Sequence, residues 1–198
     1  EQHAREVMLL RESKPELKNK GVWTADFPMY SLDASQEAVF SLATIEHHLG
    51  FRDIGNYVNG LLSSETGHNY FIKSKERIDE VLKAQSTVSV KISDLHLIHQ
   101  PSDEFGYFET NNMNDAQRRV AERVYGKDKP MGDEVYILTS DSVKEQLKGK
   151  ENNAIARVSG LDRADDGSRF IADGRGVVDA YDGLLGVLKE APKAPQKI

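Results

Sequence analysis

The residues best suited to chemistry lie in Ile92-Ser93-Asp94-Leu95-His96-Leu97. A carboxylate and an imidazole two residues apart at a strand end can both bend toward one hard divalent cation. The bland alternative is a strand end with a surface Asp94 and a packed His96. His99 follows His96 by three residues. That spacing shares a face on a helix but splits across the two faces of a strand, so the pair makes a two-ligand set only if the chain turns near Ile98. His47 and His48 are adjacent on an expected helix, where neighbours diverge by about 100°, so one of them at most can join any site.

The Asp94-x-His96 string resembles the first metal-binding motif of the calcineurin-like metallophosphoesterases. The resemblance implies a metal-dependent phosphoester hydrolase with Asp94 and His96 as ligands. That family also carries a Gly-Asp after a later strand and a Gly-Asn-His. Here Gly132-Asp133 opens a strand instead, and no Gly-Asn-His occurs. A second set is Gly67-His68-Asn69-Tyr70 with Lys73, Lys75 and Arg77 close behind. It is similar to the sets used by small metal-independent ribonucleases, in which an imidazole moves the 2′-hydroxyl proton and cations hold the phosphate. A capped helix with a charged outer face explains the same residues without catalysis.

Other signatures are incomplete, and no cofactor is implied. Gly174-Arg175-Gly176 is followed by Asp179 where a dinucleotide loop needs its third glycine. Asp162 to Asp173 has Gly167 at the sixth position of a calcium loop, but Ala164 and Asp173 stand where ligands of other kinds belong. Asp165-Asp166-Gly167 reads as a hairpin turn. There is no P-loop and no Gly-x-Ser-x-Gly elbow.

The elements that must position these groups are partly legible. Asp33 with Gln36 has capping-box spacing, and Ala38, Leu42, Ile45 and Leu49 recur at helical intervals up to Gly50, which predicts a helix. A second helix is expected over Arg52–Leu62 and a third after Ser74, with Ile78, Val81 and Leu82 inward. Val88, Val90 and Ile92 alternate with Ser89 and Lys91 in the strongest strand, 87–98, expected to be central. Its phase slips near Ser93–Asp94, which predicts a bulge or a break there. Further on, a strand at 105–110, a helix from Asn114 to Gly126, a strand at 134–139 and a helix capped by Ser142 and Glu145 are expected. Strands at 154–159 and 168–172 would join across Asp165-Asp166-Gly167, and Val177, Tyr181, Leu184 and Leu188 suggest a last helix.

The fold class expected is therefore α+β: a helical N-terminal part followed by a small mixed sheet with flanking helices. Residues 1–30 read as an N-terminal arm, 31–190 as one globular domain and 191–198 as a linker-like tail. A length of 198 residues suits one domain with a sizeable core. The formal net charge of −6 argues against general binding to nucleic acid phosphates. No apolar run approaches the roughly 20 residues of a membrane span. Cys is absent, which removes disulfides, thiolate metal sites and a Cys nucleophile. With no signal-like segment at the start, a cytoplasmic setting is favoured. Trp23, Phe27, Met29 and Tyr30 cluster in the arm as core anchors or as an interface of the residue types enriched at interface centres. The favoured function is a non-enzymatic interaction or assembly protein that binds another protein or itself. The alternative is the phosphoester hydrolase, metal-dependent at Asp94/His96 or ribonuclease-like around His68.

Overall fold

The computed structural model describes residues 22–23, 26–44, 70–72, 75–83, 87–127, 134–150, 154–157, 159–164, 167–172 and 183–184. Among them the chain forms β1 (Val22–Trp23), β2 (Asp26–Leu32), β3 (Ala38–Thr44), β4 (Tyr70–Ile72), α1 (Lys75–Lys83), β5 (Val88–Lys91), a 3-10 turn (Ile92–Leu95) and β6 (Phe105–Glu109). Then come α2 (Asp115–Tyr125), β7 (Glu134–Leu138), α3 (Ser140–Leu147), β8 (Ala154–Ala156), β9 (Gly160–Ala164), β10 (Gly167–Ile171) and β11 (Gly183–Leu184). The strands make a five-stranded sheet, β4-β8-β2-β3-β5, and a six-stranded sheet, β11-β1-β9-β10-β7-β6. The α+β class is the one the residue pattern implies.

Where the sequence predicts a first helix, the structure has a hairpin. β2 pairs antiparallel with β3 from Asp26↔Thr44 to Leu32↔Ala38. Ala38 and Leu42 are four apart and so share a face in a helix and in a strand alike. Phe40 between them settles the matter: Ala38, Phe40 and Leu42 are all buried, at period two. Ser41 points the other way and meets Ser89 of β5, oxygen to oxygen at 2.8 Å. The Asp33 signal is real but serves a turn. Its carboxylate accepts the N–H groups of Ser35 at 2.8 Å and Glu37 at 3.0 Å, while Gln36 adopts φ 62°.

Residues 26–30 accordingly belong to the sheet and not to an arm. Met29 and Tyr30 are wholly buried. β5 is an edge strand instead of a central one, and it lies against α2. The strand breaks where its phase slips: the 3-10 turn begins at Ile92. β10 pairs antiparallel with β9, from Gly167↔Ala164 to Ile171↔Gly160, whereas β8 belongs to the other sheet. The cap of α3 is Thr139, whose Oγ1 accepts the Ser142 N–H at 3.3 Å, so that helix starts earlier than Ser142. Gly183–Leu184, expected within the last helix, is a strand parallel to β1. The Arg52–Leu62 helix and the rest of the last helix fall outside the described residues.

One core joins the layers. Tyr30, Phe40, Leu42 and Val90 from the five-stranded sheet meet Phe108, Val135, Ile137 and Phe170 from the six-stranded one, with Val120 and Val124 of α2 and Val143 and Leu147 of α3. Two buried tyrosine hydroxyls clamp the parallel pair β7/β10 at opposite ends. Tyr125 Oη of α2 donates to the Glu134 carbonyl at 2.9 Å and accepts the Phe170 N–H at 3.0 Å. Tyr30 Oη of β2 donates to the Ala172 carbonyl at 2.5 Å and accepts the Leu138 N–H at 3.4 Å. The second contact also ties one sheet to the other.

Candidate functional site

The segment that carries His96 is held from two sides. Asn114 and Gln117 form a reciprocal capping box at the start of α2. Their remaining amide groups reach backward: Asn114 Nδ2 donates to the Asp94 carbonyl at 2.8 Å and Gln117 Nε2 to the Leu95 carbonyl at 2.7 Å. The helix cap thus fixes the 3-10 turn. His96 then takes φ 45°, which turns the chain out of the β5 direction. Ile98 docks on the outer edge of β6 through a reciprocal bridge, 2.7 Å and 3.1 Å, with Tyr107. The approach is so close that a Cβ on Gly106 would sit 2.8 Å from Leu97 Cβ and 3.2 Å from His99 Cβ.

This turn brings His96 and His99 to one hollow of about 230 Å³, lined also by Ile92, Ser93, Leu97, Thr139, Ser140 and Asp141. The expectation that the histidines diverge holds only for an extended chain. His99 Nδ1 donates to the Gln100 carbonyl at 3.0 Å. Asn114 Nδ2 lies 3.4 Å from His96 Nδ1. Asp94 is exposed and does not line the hollow. Among the described residues no group of three or more His, Cys, Asp or Glu is placed to hold a metal, so the Asp94/His96 pair has no third ligand there. His68 lies outside the described residues. Ser140 and Asp141 enter the lining from the far side of the chain, and no local signal links them to the histidines.

The other candidate surface is the exposed part of the six-stranded sheet. Phe108, Val135, Ile137 and Phe170 alternate into the core. The opposite face carries a continuous cross-strand row, Ile98↔Tyr107↔Tyr136↔Ile171. Ile98 is 51% exposed, and the other three are half-exposed. The Tyr107 and Tyr136 rings stack at 5.2 Å and 23°. The register runs on through Gly160 to Trp23 and Leu184. Beside it lies a charged row, Glu109↔Glu134↔Arg169. Toward the end of this face Phe105 is buried under the Arg157 guanidinium, 5.4 Å from the ring centroid, and Arg157 pairs with Glu104 at 3.0 Å. The Tyr136 hydroxyl titrates above its ordinary range, first because burial disfavours the phenolate and next because of the Glu134 charge.

Of the four residues read as core anchors or as an interface, Met29 and Tyr30 lie in the core, their side chains at 0% exposure. Phe27 pairs with Ala43 in the five-stranded sheet, and Trp23 lies in β1 opposite Gly160. Ile98, Tyr107, Tyr136 and Ile171 were not singled out by sequence reasoning. Their signal was present: Phe-Gly-Tyr-Phe-Glu and Glu-Val-Tyr-Ile-Leu each set a Tyr two residues from a Glu on one strand face.

The arrangement defines an α+β protein with two sheets around one core, a hydroxyl- and imidazole-lined hollow and an aromatic sheet face. No family model, curated protein or solved structure matches the chain. Among the described residues no helix is long and apolar enough to cross a membrane.

Proposed function

We propose that this chain is a non-enzymatic interaction or assembly protein and that the exposed face of its six-stranded sheet is the docking surface. The observation that carries the reading is the row Ile98, Tyr107, Tyr136, Ile171, apolar and aromatic yet open to solvent. Tyrosine gives large contact area at little entropic cost, and aromatic residues concentrate at interface centres. Mutual stacking fixes the two rings before a partner arrives, which lowers the cost of ordering them on binding. The partner class is a protein or a second copy of the chain.

The test is site-specific photo-cross-linking. A benzophenone side chain in place of Ile98 is expected to give discrete adducts, either with a second copy of the pure chain or with a protein from its source cell. The same group in place of Lys144, exposed on α3, is expected to give none. Equal labelling at both positions, or none at Ile98, refutes the reading.

A second reading, the phosphoester hydrolase, draws support from the convergence of His96 and His99 on one hollow. The described lining carries no Lys or Arg to hold a phosphate and includes the Asp141 carboxylate, which opposes one. Turnover of bis(p-nitrophenyl) phosphate that His96→Ala abolishes would move this reading to first place.

A further inference from the structure

The charged and aromatic rows together repeat one small unit on adjacent strands. On β7, Glu134 and Tyr136 lie two residues apart on the exposed face, and Tyr136 Oη donates to Glu134 Oε2 at 3.2 Å. Arg169 of β10 completes that unit: its guanidinium stands 6.0 Å from the Tyr136 ring centroid, and its Nε is 2.7 Å from the Glu134 carboxylate. On β6 the same pair recurs as Tyr107 and Glu109, directly opposite Tyr136 and Glu134. Among the described residues no cation sits over the Tyr107 ring, and Glu109 has no ion pair. Its carboxylate accepts one hydrogen bond, from Asn111 Nδ2 at 3.1 Å to Oε2. Two carboxylates directly opposed across a ladder repel each other, and Arg169 is bonded to only one of them.

We propose that the Tyr107–Glu109 pair receives an arginine side chain from a partner protein, in the way Arg169 occupies Tyr136–Glu134. The inference rests on the docking-surface reading above and names the chemistry of what docks. Arginine fits better than lysine because a planar guanidinium stacks on a ring and donates through its edge to a carboxylate at once. A protein fits better than a nucleic acid because carboxylates repel phosphates, and the chain as a whole carries −6.

The experiment uses the full chain and a fluorescein-labelled (Gly-Arg)4 peptide, with (Gly-Lys)4 as comparison, read by fluorescence anisotropy at physiological salt. The arginine peptide is expected to bind more tightly, and Glu109→Gln to weaken it by about fivefold, the scale of one exposed cation contact. Tyr107→Leu is expected to lose as much and Tyr107→Phe, which keeps the ring, to retain affinity. Glu145→Gln on α3 makes the same change of charge elsewhere and is expected to leave affinity unchanged. Equal losses in Glu109→Gln and Glu145→Gln, equal binding of the two peptides, or no binding at all would overturn the proposal. Adducts at position 98 together with a silent Glu109→Gln overturn the arginine assignment and leave the docking surface standing, so the two failures are distinguishable.

Discussion

Replacing Tyr125 by Phe removes one oxygen and nothing else. The ring is wholly buried, so no cavity opens and the hydrophobic contribution stays nearly constant. What is lost is the hydroxyl between the Phe170 N–H at 3.0 Å and the Glu134 carbonyl at 2.9 Å. Each hydrogen bond of this kind contributes about 1 kcal/mol net, and an orphaned buried backbone group costs about 1–3 kcal/mol. The two orphans sit on neighbouring strands and can draw toward each other, which places the total near the lower end, about 2 kcal/mol. For a chain of this size that is a fall in Tm of about 4–8 °C. Urea unfolding followed by far-UV circular dichroism measures the energy, and amide exchange at Phe170 tests the location. Tyr107→Phe, on the exposed face, is the control and should stay within about 0.5 kcal/mol. A Tyr125→Phe protein as stable as the wild type, with Phe170 equally protected, would show that the clamp does not hold β7 to β10.

The remaining expectations address the site and its supports. Gly106→Ala should cost about 1–3 kcal/mol and shift the resonances of His96 and His99, because the new Cβ would meet Leu97 Cβ at 2.8 Å; unchanged imidazole spectra would mean the segment is not pressed onto β6. Asp33 titrates below its ordinary value, first through the hydrogen bond from the Glu37 N–H, and burial opposes this. A depressed folded pKa means that its contribution is present above the unfolded value and fades as pH falls through the folded one. The stability gap between wild type and Asp33→Ala should therefore narrow in acid below about pH 4, and a gap that widens there would reverse the argument. Added Mn²⁺ or Zn²⁺ should raise Tm no further in wild type than in Asp94→Ala; an Asp94-dependent rise would establish a metal site.

Elements whose signals are local are legible in the residues alone. Asn114 announces the start of α2, and the apolar and aromatic runs mark β6 and β7. The phase slip at Ser93–Asp94 announces the break after β5, because a strand whose apolar phase changes cannot keep one face buried. Ala38–Thr44 fits a helix pattern because residues four apart share a face in both helix and strand, and the pairing of Phe40 with Val90 and of Ser41 with Ser89 decides between them. Tertiary structure alone turned Met29 and Tyr30 into core, since whether an aromatic cluster is buried depends on what covers it. It also joined Ile98, Tyr107, Tyr136 and Ile171 into one row and set His96, His99 and Asp141 around one hollow. Strand register and the bend at His96 arise from contacts between segments far apart in the chain, and no window of neighbouring residues carries that information.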